Sequence, residues 1–440
     1  MAEEMNEGIM SDYVAVIGLG YIGLPLAACL AASGTHVVGI DTNPAVRAAV
    51  LAREPVGLEP GLEALLKSLP GESLTVSDRL PDHPAKAIVV CVGTAVDRDS
   101  KEPDLGHLEA AVEQAAIRAG DDTLIVIRST VPAGTCRRLV LPQLRRRQTA
   151  PLLAFCPERT IQGQALSEIQ SLPQIIGGLD KYSTERAGLL FKPISVDQVT
   201  VSSLEAAEMI KLICNAHTDL IYGFGNEVAL IAERLGLDAH ELIRSANLRY
   251  PRPDLSAPGF VGGSCLVKDP YLLAYASREA GYQPVLVETA RSLNESIPRH
   301  VVARVMAALR QRGTAPAEAK VMVAGIAYKG SPVTDDVRGA ASTEVAQELA
   351  GQVGALAGHD PVVPAGRIAQ LGFQPQSIAE GLQDADVLML MTDHAAYHAL
   401  DAGDILRRMR PAPVVFDMWG VQYEQMHGLD SVTYLGLGRG

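Results

Sequence analysis

Cys265 stands in the run Pro258-Gly259-Phe260-Val261-Gly262-Gly263-Ser264-Cys265-Leu266-Val267-Lys268-Asp269-Pro270, behind several glycines and just ahead of a lysine and a carboxylate. Glycines let a substrate come close to the sulfur, and a cationic neighbour favours the thiolate, the form that attacks carbon. Cys265 is therefore a candidate nucleophile. A cysteine without such a setting is more often a small buried hydrophobe. That is the reading for Cys29, Cys91, Cys136, Cys156 and Cys214.

Two further groups could do chemistry. Glu208, Lys211 and Asn215 fall in helical text, and the last two, four residues apart, share a face. A lysine and an asparagine together can polarise an oxygen and stabilise an oxyanion, and a desolvated lysine can also act as a base. The competing reading is a solvated helix face with a Glu208–Lys211 pair. Cys156-Pro157-Glu158-Arg159 and Ser129-Thr130-Val131-Pro132 each follow a strand, where the strand C-termini of an open α/β sheet build sites. Glu158 could activate water and Thr130 could orient it or the substrate. Each segment taken alone is equally consistent with a turn.

A cofactor site precedes all of these. Gly18-Leu19-Gly20-Tyr21-Ile22-Gly23 is a GxGxxG between a strand and a helix, followed after the next strand by Asp41. Gly18 permits the tight turn, Gly20 lets amides approach a pyrophosphate, and Gly23 lets the helix pack on the sheet. The helix N-terminus adds partial positive charge for the phosphates. Asp41 can accept both ribose hydroxyls of NAD and would repel the 2′-phosphate of NADP. Arg47 nearby complicates that preference. The plainer alternative is a glycine-rich turn with Asp41 capping the next segment.

The elements that position these groups follow from the apolar pattern. Residues 13–17, 36–40, 87–92, 123–127 and 152–155 read as buried strands separated by amphipathic helices, the mark of parallel βαβ units. From Ser203 to about Leu235 the text is one long helix, and more helix runs from 270 to 312 with a break near Gly281. A second α/β pattern opens at 320–326, with a helix at 342–351 and strands at 353–357, 387–391 and 414–417. The fold class is α/β, two Rossmann-like doubly wound domains joined by a central helical region. The divisions are 1–202, 203–316 and 317–440.

Composition narrows the function. A chain of 440 residues is too long for one ordinary core. Its formal charge of −13 argues against a nucleic-acid partner, which would need a basic surface. The six cysteines contain no CxxC pair, so neither a disulfide framework nor a zinc site is indicated. With the acidic leader MAEEMNEGIM, which lacks an apolar core, this points to a cytoplasmic chain. The apolar stretch 13–40 parses as strand, turn, helix and strand rather than a membrane span.

Taken together, these pieces resemble the UDP-glucose/UDP-N-acetylmannosamine dehydrogenase family. The match is carried by GLGYIGLPLA at 18–27, EPGLEALL at 59–66, STVPAGT at 129–135, CPER at 156–159, EMIKLICNA at 208–216, GFVGGSCLVKDP at 259–270 and GIAYKG at 325–330. It runs in order through nearly the whole chain, and the GGSC…KD element is highly specific. The resemblance implies an N-terminal domain that binds NAD, a C-terminal domain that binds the UDP portion, and central helices that form a homodimer. It implies a four-electron oxidation of a UDP-sugar C6 alcohol to the uronate, through a thiohemiacetal and a thioester on Cys265. No metal takes part.

Position by position, the resemblance has Lys211 and Asn215 stabilising the oxyanion, Glu158 handling protons in thioester hydrolysis with Thr130 beside it, and Asp269 assisting proton transfer or water placement. Thr94, Thr130, Lys268 and Arg338 join the GxGxxG residues at the cofactor. Glu158, Arg159, Lys211, Asn215, Gly262 and Lys329 line the substrate, and Arg252, in Tyr250-Pro251-Arg252, resembles an arginine lent to the neighbouring subunit. Two motifs depart from the family pattern. Its PTP is Gly93-Thr94-Ala95 here, and its DxRxSP is Asp336-Val337-Arg338-Gly339-Ala340-Ala341 after a longer 330–335 loop. GLGYIGLPLA, CPER and YPR resemble the N-acetylhexosamine branch, whereas GGSCLVKDP resembles the glucose branch. A UDP-N-acetylhexosamine is the expected substrate and UDP-glucose the alternative. A two-electron β-hydroxyacid-type dehydrogenase, or a regulator that binds a nucleotide sugar without catalysis, are the remaining rivals.

Overall fold

Strands buried on both faces read as unbroken apolar runs, and such runs here lie inside two sheets, the first mostly parallel and the second wholly so. The computed structural model describes residues 13–251 and 254–439. Its first sheet contains β1 (Tyr13–Ile17), β2 (His36–Ile40), β3 (Leu74–Ser77), β4 (Ala87–Val90), β7 (Leu124–Ile127), β8 (Leu152–Phe155), β9 (Gln174–Gly178) and β10 (Gln198–Thr200). A small hairpin, β5 (Ala95–Val96) with β6 (Pro103–Asp104), stands apart. The strand order β10-β9-β8-β7-β4-β1-β2-β3 reverses direction at β1, as in a dinucleotide-binding sheet. Along β1, Val14 and Val16 enter one core while Tyr13, Ala15 and Ile17 enter the other, as the two-residue strand period requires.

The second sheet contains β11 (Lys320–Ala324), β12 (Ala355–His359), β13 (Gln374–Pro375), β14 (Val387–Leu390), β15 (Val414–Asp417) and β16 (Thr433–Leu435), in the order β13-β12-β11-β14-β15-β16. Every pairing in it is parallel. The helical region supplies the 32-residue helix Leu204–Leu235, then Ala239–Asn247, Asp269–Glu279 and Val285–Gln311. Gly281, at φ +82°, makes the break between the last two. By packing, one compact unit comprises the described residues up to Cys214 plus Tyr271–Gln283, and the other comprises Asn215–Pro270 plus Pro284 onward.

Five strands differ from their sequence-based bounds: the 123–127 run starts at Leu124 and the 387–391 run stops at Leu390. The 87–92 and 320–326 runs stop at Val90 and Ala324. The 353–357 run shifts to Ala355–His359, because a turn with Gly351 at φ +72° occupies the preceding residues. All six cysteines are free. Cys214 corrects the buried-hydrophobe reading: it is exposed, beside the exposed Ile213 on the outer face of the long helix. Among the described residues, no helix is long and apolar enough to cross a membrane.

Candidate active site

In the first unit, Gly18 follows β1 at φ +92° and donates its N–H to the Ile40 carbonyl at 2.7 Å. A Cβ on Gly18 would lie 2.9 Å from the Cys91 carbonyl oxygen, and one on Gly23 only 1.8 Å from that of Gly18. A Cβ on Gly20 would meet nothing within 4 Å. Two of the three glycines are thus demanded by the protein's own backbone, and the third borders open space that a ligand can use. The helix Gly23–Ala32 starts at this turn with Ile22 as its N-cap residue, and Tyr21 lays its ring against Gly57.

Asp41 reaches back to the same turn. Its Oδ2 accepts the Leu19 N–H at 2.9 Å and its Oδ1 the Asn43 N–H at 2.8 Å. One protein donor on each oxygen leaves acceptor capacity on both. Arg47 donates to the carbonyls of Asp41 and Thr42 at 2.8 and 3.0 Å. Thr94 is buried, and its Oγ1 has no hydrogen-bond partner among the described residues. An orphaned buried hydroxyl is costly unless a ligand or water completes it. Open space at Gly20, spare capacity on Asp41 and the orphan on Thr94 together fit a bound dinucleotide.

The loops after β7 and β8 build a second cluster in this unit. Arg128, 4% exposed, directly follows β7 and donates from Nε to Glu158 Oε2 at 3.0 Å; its Nη2 contacts the same oxygen. Its Nη1 binds the Cys156 carbonyl and Gln174 Oε1 at 3.1 and 2.9 Å. The other carboxylate oxygen of Glu158 accepts the N–H groups of Arg159 and Thr160 at 2.7 and 2.8 Å. Burial pushes the Glu158 carboxyl up, but Arg128, the Thr160 amide and Lys211 outweigh it and hold it below the usual carboxylate range. Thr130 is half-buried beyond Arg128, and Arg159 donates to the Pro173 carbonyl at 3.1 Å.

Glu208 and Lys211 do not form a solvated face: Glu208 is 0% exposed and Lys211 7%. Glu208 instead accepts the N–H groups of Gly134 and Cys136, fixing the turn that contains Thr130 to the long helix. Burial raises its carboxyl to about 7. Burial likewise pushes the thiols of Cys29, Cys91 and Cys156 to about 11, 12 and 12.

The second unit holds the candidate nucleophile. Cys265 is half-buried in a turn leading into the helix Asp269–Glu279, with its carbonyl accepting the N–H groups of Lys268 and Asp269 at 3.1 and 2.9 Å. Asp269, 0% exposed, accepts from Lys268 Nζ at 2.6 Å and from Asn215 Nδ2 at 2.5 Å. One buried carboxylate therefore orients both a lysine and the asparagine of the long helix. A Cβ on Gly262 would lie 2.5 Å from the Gly339 carbonyl oxygen, and one on Gly263 would lie 2.8 Å from the Tyr328 ring. The glycines before Cys265 are demanded by this close seating. Lys329 Nζ lies 5.4 Å from the Tyr328 ring centroid. Arg338 turns onto the buried Asp336, with Nε–Oδ1 and Nη2–Oδ2 contacts of 2.9 and 2.8 Å. Arg252 lies outside the described residues.

Arg128 has no place in the sequence-based list, although an arginine closing an all-apolar buried strand must find an anion. Asp219 and Asn226 were equally missed. Their signal is the 215, 219, 226 spacing, which puts three polar groups on one face of a largely apolar helix.

Compared with known proteins, residues 12–195 match the NAD binding domain of the UDP-glucose/GDP-mannose dehydrogenase family. Residues 205–296 match its central domain and 322–423 its UDP binding domain. The chain is 32% identical over 435 residues to the UDP-N-acetyl-D-mannosamine dehydrogenase of Pyrococcus horikoshii, covering 97% of this chain and 99% of that one. It is 31% identical over 425 residues to the NDP-N-acetyl-D-galactosaminuronic acid dehydrogenase of Ralstonia nicotianae, covering 92% and 96%. A solved UDP-D-ManNAc dehydrogenase structure from Pyrococcus horikoshii superposes with a TM-score of 0.88 at 30% identity, covering 97% and 99%.

Proposed function

Because the chain belongs to the UDP-glucose/GDP-mannose dehydrogenase family of NAD-dependent nucleotide-sugar oxidoreductases, we propose that it oxidises the C6 alcohol of a UDP-N-acetylhexosamine, foremost UDP-N-acetylmannosamine, to the uronate through a thioester on Cys265. The observation that carries the reading is the turn at Cys265, where a fully buried Asp269 fixes Lys268 and Asn215. A two-electron dehydrogenase has no use for a thiol there. The names of the relatives support the acetylated sugar.

The GxGxxG turn, Asp41 and Thr94 would hold NAD, which would supply the hydride acceptor. The alcohol loses a hydride and a proton to give the aldehyde. Cys265 Sγ adds to the aldehyde carbon, and the carbonyl oxygen takes up a proton. Loss of a second hydride and that proton leaves the thioester, and water then displaces Sγ and frees the carboxylate. Lys211 and Asn215 hold the oxygen as it passes through its anionic forms. Glu158, kept ionised by Arg128, works with Thr130 on the attacking water, and Asp269 keeps Asn215 in register. Arg159, Gly262 and Lys329 serve the sugar nucleotide, Arg252 serves a neighbouring subunit, and Lys268 and Arg338 serve the cofactor.

A homodimer in the cytoplasm completes the reading. Its support is the apolar row Ile213, Phe224, Ile231 and Leu235, left 46, 51, 53 and 66% exposed along the long helix.

The test is NADH formed per sugar consumed, with excess NAD⁺, across UDP-glucose, UDP-galactose, UDP-N-acetylglucosamine, UDP-N-acetylgalactosamine and UDP-N-acetylmannosamine. The expected result is about two NADH per molecule of UDP-N-acetylmannosamine, with a uronate product and about 10³-fold less turnover in Cys265→Ser. One NADH per sugar, or full turnover without the thiol, would sink the thioester route.

A further inference from the structure

A continuous chain of buried side chains holds both ends of the segment that contains Cys265. At one end the Leu266 carbonyl, one residue past the thiol, accepts Arg291 Nη1 at 3.0 Å. The same nitrogen donates to Asp219 Oδ1 at 2.6 Å. Asn294 Nδ2 donates to that oxygen and to the Asp219 carbonyl, both at 2.9 Å. Asn226 Nδ2 then donates to Asn294 Oδ1 at 2.9 Å, and Asn226 Oδ1 accepts the Gly259 N–H at 2.8 Å. The path thus runs from residue 266 back to residue 259 through two helices, Leu204–Leu235 and Val285–Gln311. Its four side chains are 0 to 3% exposed.

We propose that Arg291, Asp219, Asn294 and Asn226 form the positioning set of the nucleophile, fixing the 259–266 backbone so that the Cys265 sulfur meets the aldehyde carbon. Stability alone explains the set poorly. A buried ion pair is often no better than apolar residues of the same volume, because desolvating two charges costs several kcal/mol per ion. Here the desolvation is not even fully offset: among the described residues Asp219 Oδ2 has no hydrogen-bond partner, and Arg291 Nε has only an ion-pair contact of 3.7 Å with the partly exposed Glu295. Burial raises the Asp219 carboxyl despite the arginine. The donors and acceptors that the pair does satisfy end on the backbone of the nucleophile segment. The long helix also receives that segment closely, since a Cβ on Gly225 would lie 2.4 Å from the Ser256 carbonyl oxygen. None of the four side chains needs to touch the sugar, so their effect is confined to the steps that use sulfur.

This rests on the thioester reading, and the test separates the two. Full-length wild type, Arg291→Met, Arg291→Lys and Asn226→Ser are given UDP-N-acetylmannosamine and excess NAD⁺ with hydroxylamine present. NADH per sugar, aldehyde captured as its oxime and thermal melting are followed. In parallel, iodoacetamide labelling of Cys265 is timed by peptide mass spectrometry without substrate. For Arg291→Met we expect the first NADH within about threefold of wild type, the second slowed at least about thirtyfold, oxime accumulating, and the Cys265 labelling rate altered at least about fivefold. Arg291→Lys should recover part of each loss. Asn226→Ser, which releases only the Gly259 end, should show the same partition at about fivefold and covers the case in which Arg291→Met does not fold. Variants that melt lower but keep two NADH per sugar, no oxime and wild-type labelling would overturn the proposal. One NADH from the wild type would instead overturn the thioester reading, and the labelling rates would still decide whether the set positions Cys265.

Discussion

The two Rossmann-like sheets start alike and then use the same corner differently. After β1, the Gly18 N–H reaches the Ile40 carbonyl at 2.7 Å; after β11, the Gly325 N–H reaches that of His359 at 2.9 Å. Both glycines have φ near the left-handed extreme, +92° and +100°, and both corners are tied by an aspartate at the end of the neighbouring strand. In the first sheet a helix begins at Gly23, so its free amide end faces the space beside Gly20. In the second the helix Ala341–Leu349 waits until a loop has passed, and that loop brings Gly339 and Tyr328 against Gly262 and Gly263. One corner is left open. The other has become the seat of the segment that contains Cys265.

The aspartates record the same division. Asp41 accepts two backbone N–H groups, whereas Asp360 accepts four, from Ile326, Ala327, Val362 and Val363 at 2.8 to 3.0 Å. A carboxylate has about four lone-pair sites, so Asp360 is filled by its own chain and Asp41 has room for two hydroxyls.

The hardest blow to the first corner is Gly23→Ala. Its Cβ would sit 1.8 Å from a backbone oxygen, so the helix must move. We expect a loss of about 3 kcal/mol or more in stability and at least about a hundredfold weaker NAD binding, read by melting and calorimetry. Unchanged NAD affinity would mean that the corner is not the cofactor site. Next, Asp41→Ala and Asp360→Ala should part company. Asp41→Ala should weaken NAD binding by about 10- to 100-fold with little change in melting, and Asp360→Ala should cost about 2–4 kcal/mol in stability. Equal effects on both quantities would erase the distinction drawn from their donors.

The smallest effect concerns Glu208, for which the second sheet offers no counterpart. Its carboxyl is raised from the ordinary 4.5 to about 7 in the folded chain. The folded state then binds the proton more tightly, so this contribution is fully present below about pH 4.5 and is lost as pH rises to about 7. Glu208→Gln should remove that slope, with a difference between variant and wild type of at most about 3 kcal/mol across the window. Parallel stability curves for the two proteins would show that the group is not perturbed.

Much of this was legible in the residues. Strands 13–17, 36–40, 152–155 and 414–417 appear with the bounds that their apolar runs imply, since buried parallel strands have no polar alternation to blur them. The short edge strands Leu74–Ser77, Gln198–Thr200 and Gln374–Pro375 escaped notice because they are only partly buried and two to four residues long. The Arg291–Asp219 pair was hidden for another reason. Its members are 72 residues apart, and each alone looks like an ordinary charge on an amphipathic helix. Arg128 and Glu158, 30 apart, pose the same difficulty.

The contact between Asn215 and Asp269 also bears on how the protein ages. Asn215 Nδ2 lies 2.5 Å from Asp269 Oδ2, and the carboxylate has no exposure to water. Hydrolysis of that amide would change the mass of the chain by about one dalton and leave the helix intact. It would also put a second carboxyl oxygen where Asn215 gives Asp269 an N–H, removing the hydrogen bond that holds the pair. A batch of enzyme could thus lose its chemistry by degrees while its fold, its size and its hold on the cofactor gave no sign.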